Sequence, residues 1–367
     1  MREQKGQLRL FGESFRLQMT DSIRMTQESL AAYGELHDHW TIAWSGGKDS
    51  TALLTIVVWM ILAGRVKAPR KLSVLYADTR LELLPLWLSA ASIREELEDK
   101  REALAALGCD LDVRVVLAPL DKRFMVYVLG RGVPPPNNTT LRWCTRQTKV
   151  DPMREELERL FAEGDVLTLT GVRVGESAAR DARIALSCSR GDGECGQGWY
   201  QRDLTDRKRA TLAPLLHWRV CHVWEWLKGW ATREEFGDWT TAFLAEVYGG
   251  DEAEELHART GCVGCPLAEL DLALDSLLVR PSWSYLAPLK RLRPLWREMR
   301  LPKNRLRKPG GETRKDGSLV RNQHRMGPLT LDARRYALGV VLGIQREINE
   351  AADAARRPRI DILNDIE

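Results

Sequence analysis

Short apolar runs alternate with longer helical patterns along most of the chain. Residues 40–44 (Trp-Thr-Ile-Ala-Trp) form an apolar run that stops at Ser45-Gly46-Gly47, and residues 48–63 continue at once as an apolar helical pattern. Residues 71–79, 112–117 and 166–171 read as three further strands, and 83–107 carry helical periodicity rich in Leu, Ala and Glu. A weakly amphipathic leading helix is expected over 13–36. A closing helix is expected over 330–349, with Leu331, Tyr336, Leu338, Val341 and Ile344 as its apolar positions. Strands separated by helices of this length predict βαβ units, hence an α/β fold with a doubly wound, mostly parallel sheet. Ligands in such sheets bind at the carboxyl ends of the strands. The expected organisation is a leading helical segment (1–36), an α/β domain (37–260) and a helical, basic C-terminal subdomain (261–367).

Composition adds little to this and excludes some classes. The chain has 367 residues, 44% hydrophobic and 29% charged, which describes a folded globular protein and excludes a disordered one. Its longest apolar run, 53–63, is too short to cross a bilayer. The first residues (Met1-Arg2-Glu3-Gln4-Lys5) are polar and carry no apolar signal core, so a cytoplasmic protein with no membrane partner is expected. Seven cysteines then suggest metal or redox chemistry before disulfides. The net charge of +4 is unevenly placed, with thirteen Lys/Arg against three acidic residues between Lys290 and Arg325. That segment reads either as a solvated surface or as a patch for DNA or RNA phosphates.

The Ser45-Gly46-Gly47-Lys48-Asp49-Ser50 turn is built for phosphate. Its glycines let the backbone approach a ligand, the following helix offers free N–H groups and its dipole, and Lys48 adds a cation. The common G-x-x-x-x-G-K-[ST] loop is excluded, because Ile42 stands at its first glycine and Asp49 at its hydroxyl position. The turn resembles instead the SGGxDS pyrophosphate loop of the adenine-nucleotide alpha-hydrolase superfamily. Asp78-Thr79, one strand later, matches the nucleotide-contacting Asp-Thr of that superfamily. The segment from Gly171 to Arg180, with Arg173, Glu176 and Ser177, resembles the G-[LV]-R-x-x-[EQ]-S-x-x-R stretch of phosphoadenosine phosphosulfate (PAPS) reductases.

Cysteines give the second constellation. Cys262-Val263-Gly264-Cys265-Pro266 is a tight knuckle whose two thiolates suit one metal or cluster, and Cys144 precedes Lys149-Val150-Asp151-Pro152. Assimilatory reductases of the resembled family hold a [4Fe–4S] cluster through a tandem Cys-Cys before Lys-Val-x-Pro and a later C-x-x-C. Here the tandem is reduced to Cys144, which leaves three obvious ligands; a fourth would be Cys195, with Cys188 as the alternate, or would be exogenous or absent. Zinc is the lesser alternative, with His257 the histidine nearest the knuckle. Cys109 and Cys221 are expected as core thiols. The reductases' Glu-Cys-Gly-Leu-His tail has no counterpart, since no cysteine follows Cys265. Residues 326–335 look like the C-terminal portion of the DndC-type branch, which works in sulfur modification of the DNA backbone; CRISPR-associated CysH-like proteins share parts of this layout.

The resemblance implies an enzyme that binds ATP with Mg2+ and splits it to AMP and pyrophosphate, activating a substrate by adenylation for sulfur transfer. Ser45, Gly46, Gly47, Lys48, Asp49, Ser50, Asp78, Thr79, Gly171, Arg173, Glu176 and Ser177 would bind the nucleotide. Lys48, Asp49, Arg173 and Arg180 would carry catalysis. A cysteine desulfurase or other sulfur donor would be a partner. The alternatives are a reductase of adenylated sulfate using Cys195, and a non-catalytic nucleotide- or nucleic-acid-binding subunit.

Overall fold

The computed structural model describes residues 17–137, 141–175, 178, 181–182, 184–185, 199–202, 209–248 and 261–367. Six strands form the main sheet: β1 (His39–Trp44), β2 (Lys71–Asp78), β3 (Asp110–Leu117), β4 (Val166–Leu169), β5 (Trp199–Arg202) and β6 (Arg209–Ala213). Their order is β3-β2-β1-β4-β6-β5. All neighbours pair in parallel except β5, which runs antiparallel to β6. The sheet is therefore α/β and mostly parallel, as expected.

Helices cover both faces. α1 (Met19–Gly34), α2 (Lys48–Leu62), α3 (Leu84–Asp99) and α4 (Arg101–Ala106) belong to the first half, and α5 (Asp151–Glu163) leads into β4. Along β2, Leu72, Val74 and Tyr76 enter the main core with α2, whereas Leu75 faces the other way into a cluster with Leu160 of α5. That alternation is the period of two of a strand buried on both sides. Every residue of α2 from Thr51 to Ile61 is buried. The apolar run is thus a central core helix.

Several boundaries differ from the pattern reading. α1 begins at Met19, and the expected start at 13 lies outside the described residues. The helical stretch 83–107 is two helices broken at Lys100. β3 starts two residues early, at Asp110, and β4 ends at Leu169. Strands β5 and β6 have no counterpart in the pattern reading. β6 is a short run (Arg-Ala-Thr-Leu-Ala) without clean alternation, and it becomes a strand only because the β4 edge is there to pair with it.

Beyond the sheet, the elements among the described residues are helices apart from a two-stranded ribbon, β7 (Arg305–Arg307) with β8 (Met326–Leu329). The closing helix runs Leu331–Ala354, longer than expected, and is capped by the Thr330 side chain accepting from Ala333 N. After it the chain turns back. Asn349 exchanges two hydrogen bonds with the backbone of Ile360, and Gln345 does the same for residues 362–363. Among the described residues no helix is long and apolar enough to cross a membrane.

Candidate nucleotide site and thiol cluster

β1 lies at the centre of the sheet, with β2 on one side and β4 on the other. Strand order reverses there, so the loops leaving β1 and β4 part and open a crevice at their carboxyl ends. Ser45 to Ser50 fill that crevice. Gly46 takes φ +70°, a conformation costly for residues with a Cβ, and a Cβ there would also press on Ala90 and the Tyr76 ring at 3.4 Å. The Ser50 hydroxyl donates to Gly47 O (3.1 Å) and accepts from Ser45 N (3.2 Å), so the turn is stitched internally. Beneath it, the Trp44 indole donates to the Thr51 hydroxyl at 2.9 Å, fixing the end of β1 to the first turn of α2.

Two cations meet one carboxylate in this crevice. Asp49 accepts from Lys48 Nζ at 2.9 Å and from Arg173 Nε at 2.7 Å. Arg173 is 5% exposed and also donates to Trp218 O, so its guanidinium is held from behind by backbone. Gly171 lets this happen. A Cβ there would lie 2.8 Å from Asp49 O and 3.1 Å from Ser50 N, so any larger residue would push β4 away from the start of α2. Tyr248, from a distant part of the chain, closes the other side. Its hydroxyl accepts from Lys48 N at 3.2 Å, and the Lys48 ammonium sits 5.4 Å from its ring centroid. Nothing in the local sequence marks Tyr248 for this place. Glu176, Ser177 and Arg180 lie outside the described residues.

Asp78 and Thr79 end β2 beside this crevice and are both buried. Asp78 accepts from Arg80 N (2.7 Å), while Thr79 N and Oγ1 both donate to Glu82 (3.2 and 2.7 Å). Leu81 N donates to the second Glu82 oxygen. Burial raises the Glu82 pKa, the Thr79 bonds oppose that shift, and Asp78 adds to it. Glu82 was not singled out in the sequence, standing just ahead of the expected helical stretch 83–107; its spacing from Asp78 places it in the same strand-end turn.

The knuckle docks on that turn. Val263 N donates to Leu81 O at 2.7 Å, and Cys265 N to Cys262 O at 3.1 Å. Gly264 has φ +63°, and a Cβ there would strike Leu292 Cβ at 2.5 Å. The knuckle is therefore seated between β2 and the C-terminal helices. Cys144 lies nearby, ahead of a widened helical turn (Arg146–Val150) that runs into α5. The three thiols share one electrostatic neighbourhood. Cys262 is reachable by solvent, yet protein crowds its sulfur enough to push the thiol up to about 12, with Glu82, Cys265 and Cys144 adding to the shift. Burial also raises Cys144, partly offset by the Thr145 hydroxyl, and Cys265 raises it further.

Among the described residues no three His, Cys, Asp or Glu side chains gather tightly enough to hold a metal ion. The expected four-ligand set is thus not assembled there. Cys188, Cys195 and His257 lie outside the described residues. What the described residues do show is a knuckle seated on the β2 turn with a third thiol in its electrostatic neighbourhood, a donor chemistry of the kind that binds thiophilic metals. Of the two expected core thiols, Cys109 is buried with its pKa pushed up to about 11, whereas Cys221 is only half-buried. A cavity of about 160 Å³ lies between the β2 turn (Asp78, Leu81), Val263 of the knuckle and the returning C-terminal segment (Ile360, Ile362).

The basic segment is less free than its composition suggests. Lys290, Arg291, Lys303, Lys308 and Arg325 each pair with a carboxylate, and Arg305 donates to Met326 O and Gly327 O. Arg314, Lys315 and Arg321 are exposed and carry no carboxylate partner among the described residues.

The model of the phosphoadenosine phosphosulfate reductase domain matches residues 39–232, which contain the loop, the β2 turn, Cys144 and Arg173. No curated protein matches the chain. Among solved structures, phosphoadenylyl-sulfate (PAPS) reductase from Candida auris, in a phosphate complex, is 12% identical with a TM-score of 0.31, covering 57% of this chain and 85% of that one. The U34-tRNA thiolase NcsA from Methanococcus maripaludis, solved with its [4Fe–4S] cluster, is 13% identical with a TM-score of 0.34, covering 83% and 86%. With more than half its length matched by one family model, the chain belongs to the phosphoadenosine phosphosulfate reductase domain family.

Proposed function

We propose that the protein binds Mg-ATP in the Ser45–Ser50 loop and splits it between the α and β phosphates, activating an acceptor for sulfur transfer. The observation that carries this reading is Asp49 holding both Lys48 and Arg173 at the mouth of a glycine turn. A magnesium ion taken by Asp49 would release both cations toward the phosphates, where charge develops as pyrophosphate leaves. An acceptor oxygen attacks the α phosphorus, the bridging bond to the β phosphate breaks, and sulfur later displaces AMP. The cavity lined by Asp78, Leu81 and Val263 offers the acceptor a place beside the β2 turn and the knuckle.

Cys144, Cys262 and Cys265 would hold a cluster of the [4Fe–4S] type, with Cys195 or an exogenous group as fourth ligand. Such a group supplies a site for sulfur or electrons. The chain's own part is to seat the knuckle against Leu81 and Leu292. A sulfur donor such as a cysteine desulfurase completes the reaction, and nucleic acid is engaged at Arg314, Lys315 and Arg321.

The test uses protein purified without oxygen and given Mg-ATP with and without DNA or RNA. AMP and pyrophosphate together with broad absorbance near ~400 nm are expected. Lys48→Ala and Arg173→Ala should each lower ATP affinity at least about tenfold, the loss of a charge-assisted bond. ADP as product would overturn the reading. Sulfite release from an adenylated sulfate with thioredoxin would move it to a reductase.

A further inference from the structure

We infer that Tyr76 and Arg94 form a further wall of the nucleotide site and bind phosphate oxygens from the α3 side of the loop; this rests on the ATP reading above. Tyr76 is opposite Trp44 in the β1–β2 register and is 1% exposed. Its hydroxyl has no hydrogen-bond partner among the described residues. Most buried hydroxyls find one, so an orphan beside a ligand loop marks a bond left for the ligand. The phenol is at the right place. A Cβ built on Gly46 would stand 3.4 Å from its ring and 3.9 Å from its oxygen, so ring and loop backbone share a border.

Arg94 approaches from α3. Ala90 touches the same point on Gly46, and Arg94 lies one helical turn further along the same face. Its guanidinium carbon is 5.4 Å from the Tyr76 ring centroid. Its Nε is buried without a partner, and no carboxylate pairs with it among the described residues. Lys48 and Arg173 are both engaged on Asp49, which leaves Arg94 as a cation at the loop whose charge is not yet neutralised. The charged groups facing the phenol are Glu82, Asp78 and Arg94. Burial and the two carboxylates hold its ionisation far above the ordinary tyrosine value, so it stays an O–H donor.

An unpaired phenol and an unpaired guanidinium side by side suit a phosphate oxygen, which accepts from both. The orphan hydroxyl also makes the test sharp, because removing it should not harm the ligand-free fold. Tyr76→Phe and Arg94→Gln would be compared with the wild-type chain and Lys48→Ala by calorimetric titration with Mg-ATP and by thermal unfolding without ligand. Tyr76→Phe should unfold at the same temperature or higher, yet bind Mg-ATP about tenfold more weakly. Arg94→Gln should weaken binding similarly and make it less salt-sensitive. Wild-type affinity in both variants, with binding lost in Lys48→Ala, would overturn this inference and leave the ATP reading standing. No binding by the wild-type chain would overturn both.

Discussion

Gly171 sets the distance between the end of β4 and the start of α2, and through it the seat of Arg173. With Asp49 O only 2.8 Å from a Cβ position, and both sides of the contact backbone, an added methyl has nowhere to go. Gly171→Ala should cost about 1–3 kcal/mol, the usual range for overpacking, and on the ATP reading should weaken Mg-ATP binding as Arg173 is carried away from the loop. Gly164 supplies the contrast. Its φ of 168° is open to any residue and a Cβ would meet nothing, so Gly164→Ala should leave both properties unchanged. Chemical unfolding and titration calorimetry of the two variants check the pair. At this scale much of the site was legible, since Gly46, Lys48, Asp49, Asp78 and Arg173 sit in short motifs whose spacing reports local backbone geometry. Tyr248 was not, because its contact with Lys48 crosses 200 residues and leaves no local trace.

Elements carry a second kind of information. The run ending at Ser45 and the helix after it were plain, because α2 is buried along nearly its whole length and its neighbours had to be apolar. Strands β5 and β6 were opaque for the opposite reason. β5 is the edge strand and β6 its inner neighbour, and their pairing comes from β4 and from each other. The cysteine knuckle stands between these cases, a recognisable C-x-x-C whose docking partners, Leu81 and Leu292, sequence cannot name. That docking is testable. Gly264→Ala places a β-carbon 2.5 Å from Leu292 in a backbone conformation that disfavours one, so the knuckle must leave its seat. On the cluster reading proposed above, protein purified without oxygen should then lose iron and sulfide together with its visible absorbance, while a variant at the core thiol Cys109 should keep them. Retained iron in Gly264→Ala would show that the seat is not needed.

The molecule as a whole redistributes what composition suggests. Thirteen basic residues between Lys290 and Arg325 look like a polyanion surface, but several of them already pair with carboxylates or backbone of the same chain at that surface. Lys290 holds Asp275, Arg291 holds Glu347, and Arg305 holds the backbone of β8. Those charges fasten the C-terminal helices and ribbon. Arg314, Lys315 and Arg321, in the connection between β7 and β8, are what remain for an outside partner. Each phosphate neutralised by a cation releases counterions, so binding falls with salt at a slope of about 0.9 per contact on double-stranded DNA and about 0.7 on single strands. If this connection is the contact, replacing the three residues together by Gln should reduce that slope by about 2 to 3 and weaken binding to every sequence alike. Replacing Lys290 and Arg291, whose surface ion pairs are each worth no more than about 1 kcal/mol, should change thermal stability little and leave the slope where it was. A slope carried instead by Lys290 and Arg291 would mean that their ion pairs open when nucleic acid binds, and would move the interface to the face of the closing helix that bears Glu347.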